Sequence, residues 1–177
     1  MIKKVLIILG IIIVVAAAVV VTAPVFLPKT YTVSRTIEIH AAPSAIYRTL
    51  GDFDEFMKWQ PWIRYEPEAK KVITGKPFTI GARYEWEGKR LGKGSMMITS
   101  LAQNEYVETE LIFGGADASK SVNRVSLAPM EKATKVTWTL RGGMSYFERY
   151  FAPMMDSMLG KDFEGGLKNL KEYIERK

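Results

Sequence analysis

The 177-residue chain has no cysteine, a single histidine at position 40, and no acidic residue before Glu38. The first absence excludes disulfides, a thiol nucleophile and any cysteine-based metal site. It leaves a periplasmic or cell-surface setting open without requiring one. One histidine gives no zinc site, and with no Gly-x-Ser-x-Gly element a hydrolytic triad finds no support. His40 lies where a strand pattern hands over to a helix, and is read as a surface or hydrogen-bonding residue. Gly92-Lys93-Gly94 is not followed by a helix pattern, so it is a turn or strand entry and not a phosphate cradle. These patterns point to no metal, no cofactor and no catalytic constellation.

In place of acids the N-terminus carries a hydrophobic run. No side chain from Val5 to Val21 is polar, and only Thr22 and Pro24 interrupt the run before Leu27. At 1.5 Å per residue the unbroken part spans roughly 26 Å and the whole stretch roughly 34 Å, against a hydrocarbon layer of about 30 Å. A cleaved signal peptide is the competing reading. Its apolar region is usually about 7–15 residues, and the nearest small-residue site, Val21-Thr22-Ala23, is followed by an awkward Pro24. The expected organisation is therefore a short cytoplasmic N-terminus (1–4), a transmembrane signal-anchor helix (5–27), a linker (28–30) and one folded domain (31–177). Lys3 and Lys4 precede the span, which places the N-terminus inside the cytoplasmic membrane and the domain in the periplasm or outside the cell. Lys29 and Arg35 lessen that asymmetry. Of the formal charge of +6, the first thirty residues hold +3. The remainder is far too weakly basic for a nucleic-acid footprint.

Beyond the anchor, "YTVSRTIEI" (31–39) alternates and is rich in β-branched residues, which predicts a strand. Pro43 suits the first turn of a short helix. Asp52-Phe53-Asp54-Glu55 starts a second one, with an acidic cap. From 69 to 141 six strand patterns follow, separated by Gly75-Lys76-Pro77, Gly88-Lys89, Gln103-Asn104, Gly114-Gly115 and Pro129-Met130-Glu131. Such short links predict an antiparallel meander. After Gly142-Gly143 the chain turns helical from about Tyr146, with an interruption at Pro153. Met155, Leu159, Phe163, Leu170 and Ile174 form one stripe of this helix. The expected class is α+β, a curved antiparallel sheet of about seven strands in the order β-α-α-β6-α, wrapped round a long C-terminal helix.

On "IEIHAAPSAIYRTLGDFDEFMKWQPW", "GARYEWEG", "GKGSMMITS", "TKVTWTLRG" and "MMDSMLGKDFEGGLKNLKEYIE", the chain resembles the SRPBCC superfamily. This is the START-like, birch-pollen-allergen-like helix-grip fold. More narrowly, residues 31–176 resemble its polyketide cyclase/dehydrase and lipid-transport group. The resemblance implies a hydrophobic cavity between sheet and helix; it does not by itself imply a reaction.

Candidate lining residues are Tyr84, Trp86, Met97, Leu111, Phe113 and Trp138 from the sheet. The last helix offers Phe151, Met154, Met155, Met158 and Leu159, and the short-helix end offers Phe56, Trp59 and Trp62. Aromatics give large flat contacts with polar edges, and methionine adapts its shape. Any one of them could equally be filled core. Trp59 and Trp62, flanking Gln60-Pro61, pose the sharpest choice, between a plug and a rim. Gly160, Gly165 and Gly166 suggest close approach or open space beside the last helix. A ligand site in such a fold is on the order of 300–1,000 Å³.

Three functions compete. The first is a membrane-anchored extracytoplasmic module that binds a hydrophobic small molecule or lipid without catalysis. The second is a cyclase/dehydrase-like enzyme using a cavity carboxylate, for which Glu85, Glu108 and Glu110 are the candidates. Strand alternation argues against it, because turning them inward would expose Trp86 and Phe113 and bury unpaired charge. The third is an envelope interaction protein with no small ligand.

Overall fold

The computed structural model describes residues 2–114 and 120–176; Gly115, one half of an expected turn, lies outside them. Helix α1 (Ile2–Thr22) is followed by a 3-10 turn at Ala23–Val25. The span Ile2–Val25 has a mean hydropathy of 3.3; no residue of α1 is buried, whereas Pro24 in the turn after it is. By length and composition the span can cross a membrane.

The remainder is the α+β arrangement expected from the pattern. Strand β1 (Thr30–Ile39) leads into two short helices, α2 (Pro43–Tyr47) and α3 (Phe53–Phe56), and a 3-10 turn at Trp62–Arg64. Strands β2 (Lys70–Thr74), β3 (Arg83–Gly88), β4 (Gly92–Ala102), β5 (Tyr106–Phe113), β6 (Lys120–Pro129) and β7 (Thr134–Gly143) follow. A 3-10 segment (Glu148–Met154) precedes the long helix α4 (Met155–Glu175). The break between them falls at Pro153, which lacks an amide hydrogen and crowds the preceding turn.

One seven-stranded sheet runs β1-β7-β6-β5-β4-β3-β2, with every pairing antiparallel. Only β1 leaves sequence order: it joins β7 from Thr30↔Gly143 to Ile39↔Thr134. A register shift between Ile98 and Ser100 marks an irregularity in β4, the kind of feature that bends a strand and sharpens sheet twist. Helix α4 crosses the concave face over β1 and β7. Phe163, Leu167 and Leu170 are almost wholly buried against Val33, Val136 and Trp138.

The two short helices close one side of the grip. Asp52 caps α3 by accepting from the Asp54 amide at 2.9 Å, which satisfies a donor the helix leaves open. This aims Phe53 and Phe56 inward, where both are buried.

Candidate functional site

Between the concave face and α4 lies a cavity of about 200 Å³. The sheet supplies Tyr84 and Trp86 from β3, Met96 from β4, and Leu111 and Phe113 from β5. Asn123 from β6 and Trp138 and Leu140 from β7 complete that wall. Leu159 and Phe163 of α4, with Phe56, Gln60 and Trp62, form the opposite side, and Arg90 and Leu91 of the β3–β4 turn stand at the mouth. The volume falls below the usual ligand-site range because rings fill the grip. Trp138 stacks on Phe163 with centroids 4.4 Å apart, and Tyr84 stacks on Trp86 at 5.4 Å. It still exceeds the ~150 Å³ of an apolar cavity that holds benzene.

The polar groups of the wall divide into engaged and open ones. Asn123 is buried; its amide donates to Thr109 Oγ1 at 3.0 Å, and its carbonyl oxygen accepts from the Trp138 indole. Gln60 Oε1 accepts from the backbone amides of Trp62 and Ile63 at 2.9 and 3.2 Å. This fixes the Gln60-Pro61-Trp62 turn. The Tyr84 hydroxyl has no hydrogen-bond partner among the described residues, and burial pushes its pKa up to about 12. At neutral pH it is a phenol able to donate to, or accept from, a guest.

At the mouth, Glu66 accepts from the backbone amides of Lys89, Arg90 and Leu91 at 2.8, 2.9 and 3.0 Å. Those three bonds hold its carboxyl below the usual range. Among the described lining residues Arg90 is the one formal charge.

A family model described as polyketide cyclase / dehydrase and lipid transport matches residues 30–175. The chain belongs to that family. No curated protein matches it. Solved structures share the fold at low identity. A Thermobifida fusca protein aligns at TM-score 0.66 and 19% identity, covering 82% of this chain and 93% of that one. Protein CV1439 from Chromobacterium violaceum aligns at 0.59 and 17%, covering 84% and 99%. Protein MLL2253 from Mesorhizobium loti aligns at 0.61 and 14%, covering 82% and 97%.

Within this cyclase/dehydrase and lipid-transport domain, eight of the residues expected from the sequence border the cavity: Phe56, Trp62, Tyr84, Trp86, Leu111, Phe113, Trp138 and Leu159. Six lie elsewhere. Trp59 is a plug behind the wall, 1% exposed, its indole donating to the Thr49 carbonyl at 3.2 Å. Trp62 is the rim: half-buried, it donates to Asp162 Oδ2 at 3.1 Å, while the Tyr65 hydroxyl donates to the other oxygen at 2.8 Å. Met97 is displaced by strand parity, because Met96 and Ile98 face inward and Met97 shares the outer face with Arg83. Phe151, Met154 and Met158 are more than half exposed, and Met155 is half-buried at the start of α4 without reaching the cavity.

Residues missed from the sequence include Met96 and Asn123, which alternation with Ile98 and Val125 would have found. Arg90 and Leu91 reach the mouth only through the turn held by Glu66, for which no periodic signal exists. The candidate acids lie outside the cavity. Glu108 pairs with Arg124 at 3.2 Å, Glu110 with Lys120 at 3.1 Å and Glu85 with Arg83 at 3.3 Å. The backbone amide of His40 donates to Glu175.

Proposed function

We propose that residues 31–177 are a binding module for a neutral hydrophobic small molecule or lipid, tethered by residues 5–27 to the cytoplasmic membrane. The short N-terminus (1–4) is inside, residues 28–30 link anchor and domain, and the domain lies in the periplasm or outside the cell. The observation that carries this reading is the cavity's lining: mostly aromatic and aliphatic, with one unpartnered phenol, Tyr84, in its wall and one cation, Arg90, at the β3–β4 turn. Such a wall favours apolar bulk and pairs a single ligand oxygen with Tyr84. Its occupant is an apolar ring or chain segment bearing a hydroxyl or carbonyl.

A cyclase-like role would need an acid or base within reach of the guest. Glu85, Glu108 and Glu110 sit on the outer face in ion pairs, so binding without catalysis is favoured.

The test is 2-naphthol titrated into the full chain in nanodiscs, read by quenching of tryptophan fluorescence beyond that with Leu111→Trp, which fills the cavity. Saturable quenching lost in that variant supports the reading. Equal response of both proteins, with no co-purifying lipid in native mass spectrometry, would sink it. The orientation is tested separately by Lys76→Cys, which should react with an impermeant thiol reagent in cells whose outer barrier is opened. Reaction only after lysis contradicts it.

A further inference from the structure

The apolar side chains between the sheet and α4 do not all turn inward. Phe147, the 3-10 residues Phe151 and Met154, and Met158 in the first turn of α4 form an outward row that is 62%, 55%, 53% and 55% exposed. Beside this stripe, the Tyr146 and Tyr150 hydroxyls donate to the carbonyls of Val21 and Val20, and Arg149 Nη1 donates to Pro24 O at 3.2 Å. Val20 and Val21 lie in the last turn of α1, where a helix leaves its own carbonyls without partners. The segment that carries the stripe is thus also the cap of α1.

This capping sets depth. Tyr146 and Tyr150 are level with the last turn of the apolar helix, and so is the start of the stripe. For a helix that crosses a bilayer, that level is the lipid–water interface, where tyrosines concentrate. Phe26, 86% exposed, stands at the same junction. Lys29, whose carbonyl accepts from the Met144 amide at 2.9 Å, and Lys161, one turn beyond Met158, add basic side chains at its edge. Aromatic and aliphatic residues edged by lysine are the composition of a segment lying in the interface plane.

We propose that Phe147, Phe151, Met154 and Met158 bed into the interfacial layer of the same bilayer that α1 crosses, as a second membrane contact that fixes the domain's tilt. This rests on the anchor reading given above. The cavity mouth lies at the end of the sheet nearest the anchor. Thr30, where the chain leaves the anchor, pairs with Gly143; Gly142 pairs with Ser121, and Ser121 with Leu111. Phe113 pairs with Gly94, and Gly88 with Gly92, so the β3–β4 turn lies at the end of the sheet from which the anchor leaves.

The absence of cysteine makes the test direct. Single substitutions Phe151→Cys and Met158→Cys in the full chain are spin-labelled in vesicles of zwitterionic and anionic phospholipid. Val14→Cys and Gln103→Cys report the middle of α1 and the far β4–β5 turn. Labels at 151 and 158 should lie about 5–10 Å below the phosphate level, with 14 near the bilayer centre and 103 in water. Aqueous labels at 151 and 158 with 14 at the centre overturn the docking and leave the anchor standing. A label at 14 outside the hydrocarbon overturns both. Spin–spin broadening between copies at 151, without lipid contact, assigns the stripe to self-association and also overturns the proposal.

Discussion

Gly166 on α4 lies so close to the indole of Trp138 on β7 that a Cβ there would stand 2.6 Å from Cζ3, and 3.0 Å from Pro61 Cδ. The glycine is what lets the helix settle onto the ring, itself 1% exposed and stacked on Phe163. One residue earlier, a Cβ at Gly165 would meet nothing within 4 Å.

The two glycines therefore predict opposite outcomes for the same substitution. Gly165→Ala gains about 1 kcal/mol of helix propensity with no clash. Gly166→Ala makes the same gain but overpacks fixed rings, at a cost of about 1–3 kcal/mol that lies toward the upper end because neither ring can swing away. Denaturant unfolding should rank Gly165→Ala above wild type and Gly166→Ala about 1–2 kcal/mol below it. Stabilisation by both would contradict the packing argument.

Tyr84 predicts a selective loss. Tyr84→Phe removes the open hydroxyl and keeps the ring that stacks on Trp86, so a guest bearing an oxygen should bind about 0.5–1.5 kcal/mol more weakly. An all-hydrocarbon guest of the same shape should be unaffected. Competition titration of 2-naphthol and naphthalene checks this. Because the folded phenol ionises near pH 12 rather than 10, the folded state holds its proton longer than the unfolded chain does. Stability tied to Tyr84 is thus full below pH 10 and lost between about 10 and 12. Alkaline unfolding of Tyr84→Phe should lack that component.

The sheet and its grip were readable because a strand buried on one face writes its burial into alternate residues. Val107, Thr109 and Leu111 against Glu108 and Glu110 is one such run. The cavity was only half readable. Parity decides between Met96 and Met97, but two adjacent methionines fit either phase until a neighbour such as Ile98 anchors it. Phe151, Met154 and Met158 precede the inward stripe of Leu159 and Phe163, and Met158 stands about 100° from Leu159 and about 140° from Phe163 on α4; apolar composition alone does not say what covers a side chain. Phe151 and Met154 lie in the 3-10 segment around Pro153, ahead of α4, so no single helical phase runs through them and the inward stripe. Trp59 and Trp62 differ through single hydrogen bonds, to Thr49 and Asp162, that no pattern encodes.

Arg35 predicts an acid limit to the grip. Its Nη1 and Nη2 meet the Asp156 carboxylate at 2.8 and 3.1 Å and its Nε meets Glu164 at 2.7 Å. The clamp ties β1 to the start of α4 through the space that Gly160 leaves open: a Cβ there would stand 1.9 Å from Arg35 Nη2. The hydrogen bonds to Arg35 hold the Asp156 carboxyl below its ordinary 3.8. A depressed acid stabilises above its unfolded value and stops doing so as pH falls through the folded one. Asp156→Asn should therefore lower the melting temperature at pH 7, and the difference should vanish as pH drops below about 4. A difference that persists unchanged at pH 2 would mean that the carboxylate charge is not its source.

Glu66 predicts the last effect, on the mouth. Three backbone amides of the β3–β4 turn converge on its carboxylate, and a Cβ at Gly88 would stand 2.3 Å from its Oε2. Glu66→Gln replaces one acceptor oxygen with a donor facing amides that also donate, so the turn carrying Arg90 and Leu91 should loosen while the buried wall stays intact. Hydrogen exchange at residues 89–91 should quicken, and guest dissociation should quicken more than association slows. Lowering the pH of the wild-type protein through the depressed Glu66 value should reproduce both changes, because protonation leaves one oxygen a hydroxyl donor. Exchange at 89–91 that ignores both the substitution and acid would show that the turn is held by its strands, not by Glu66.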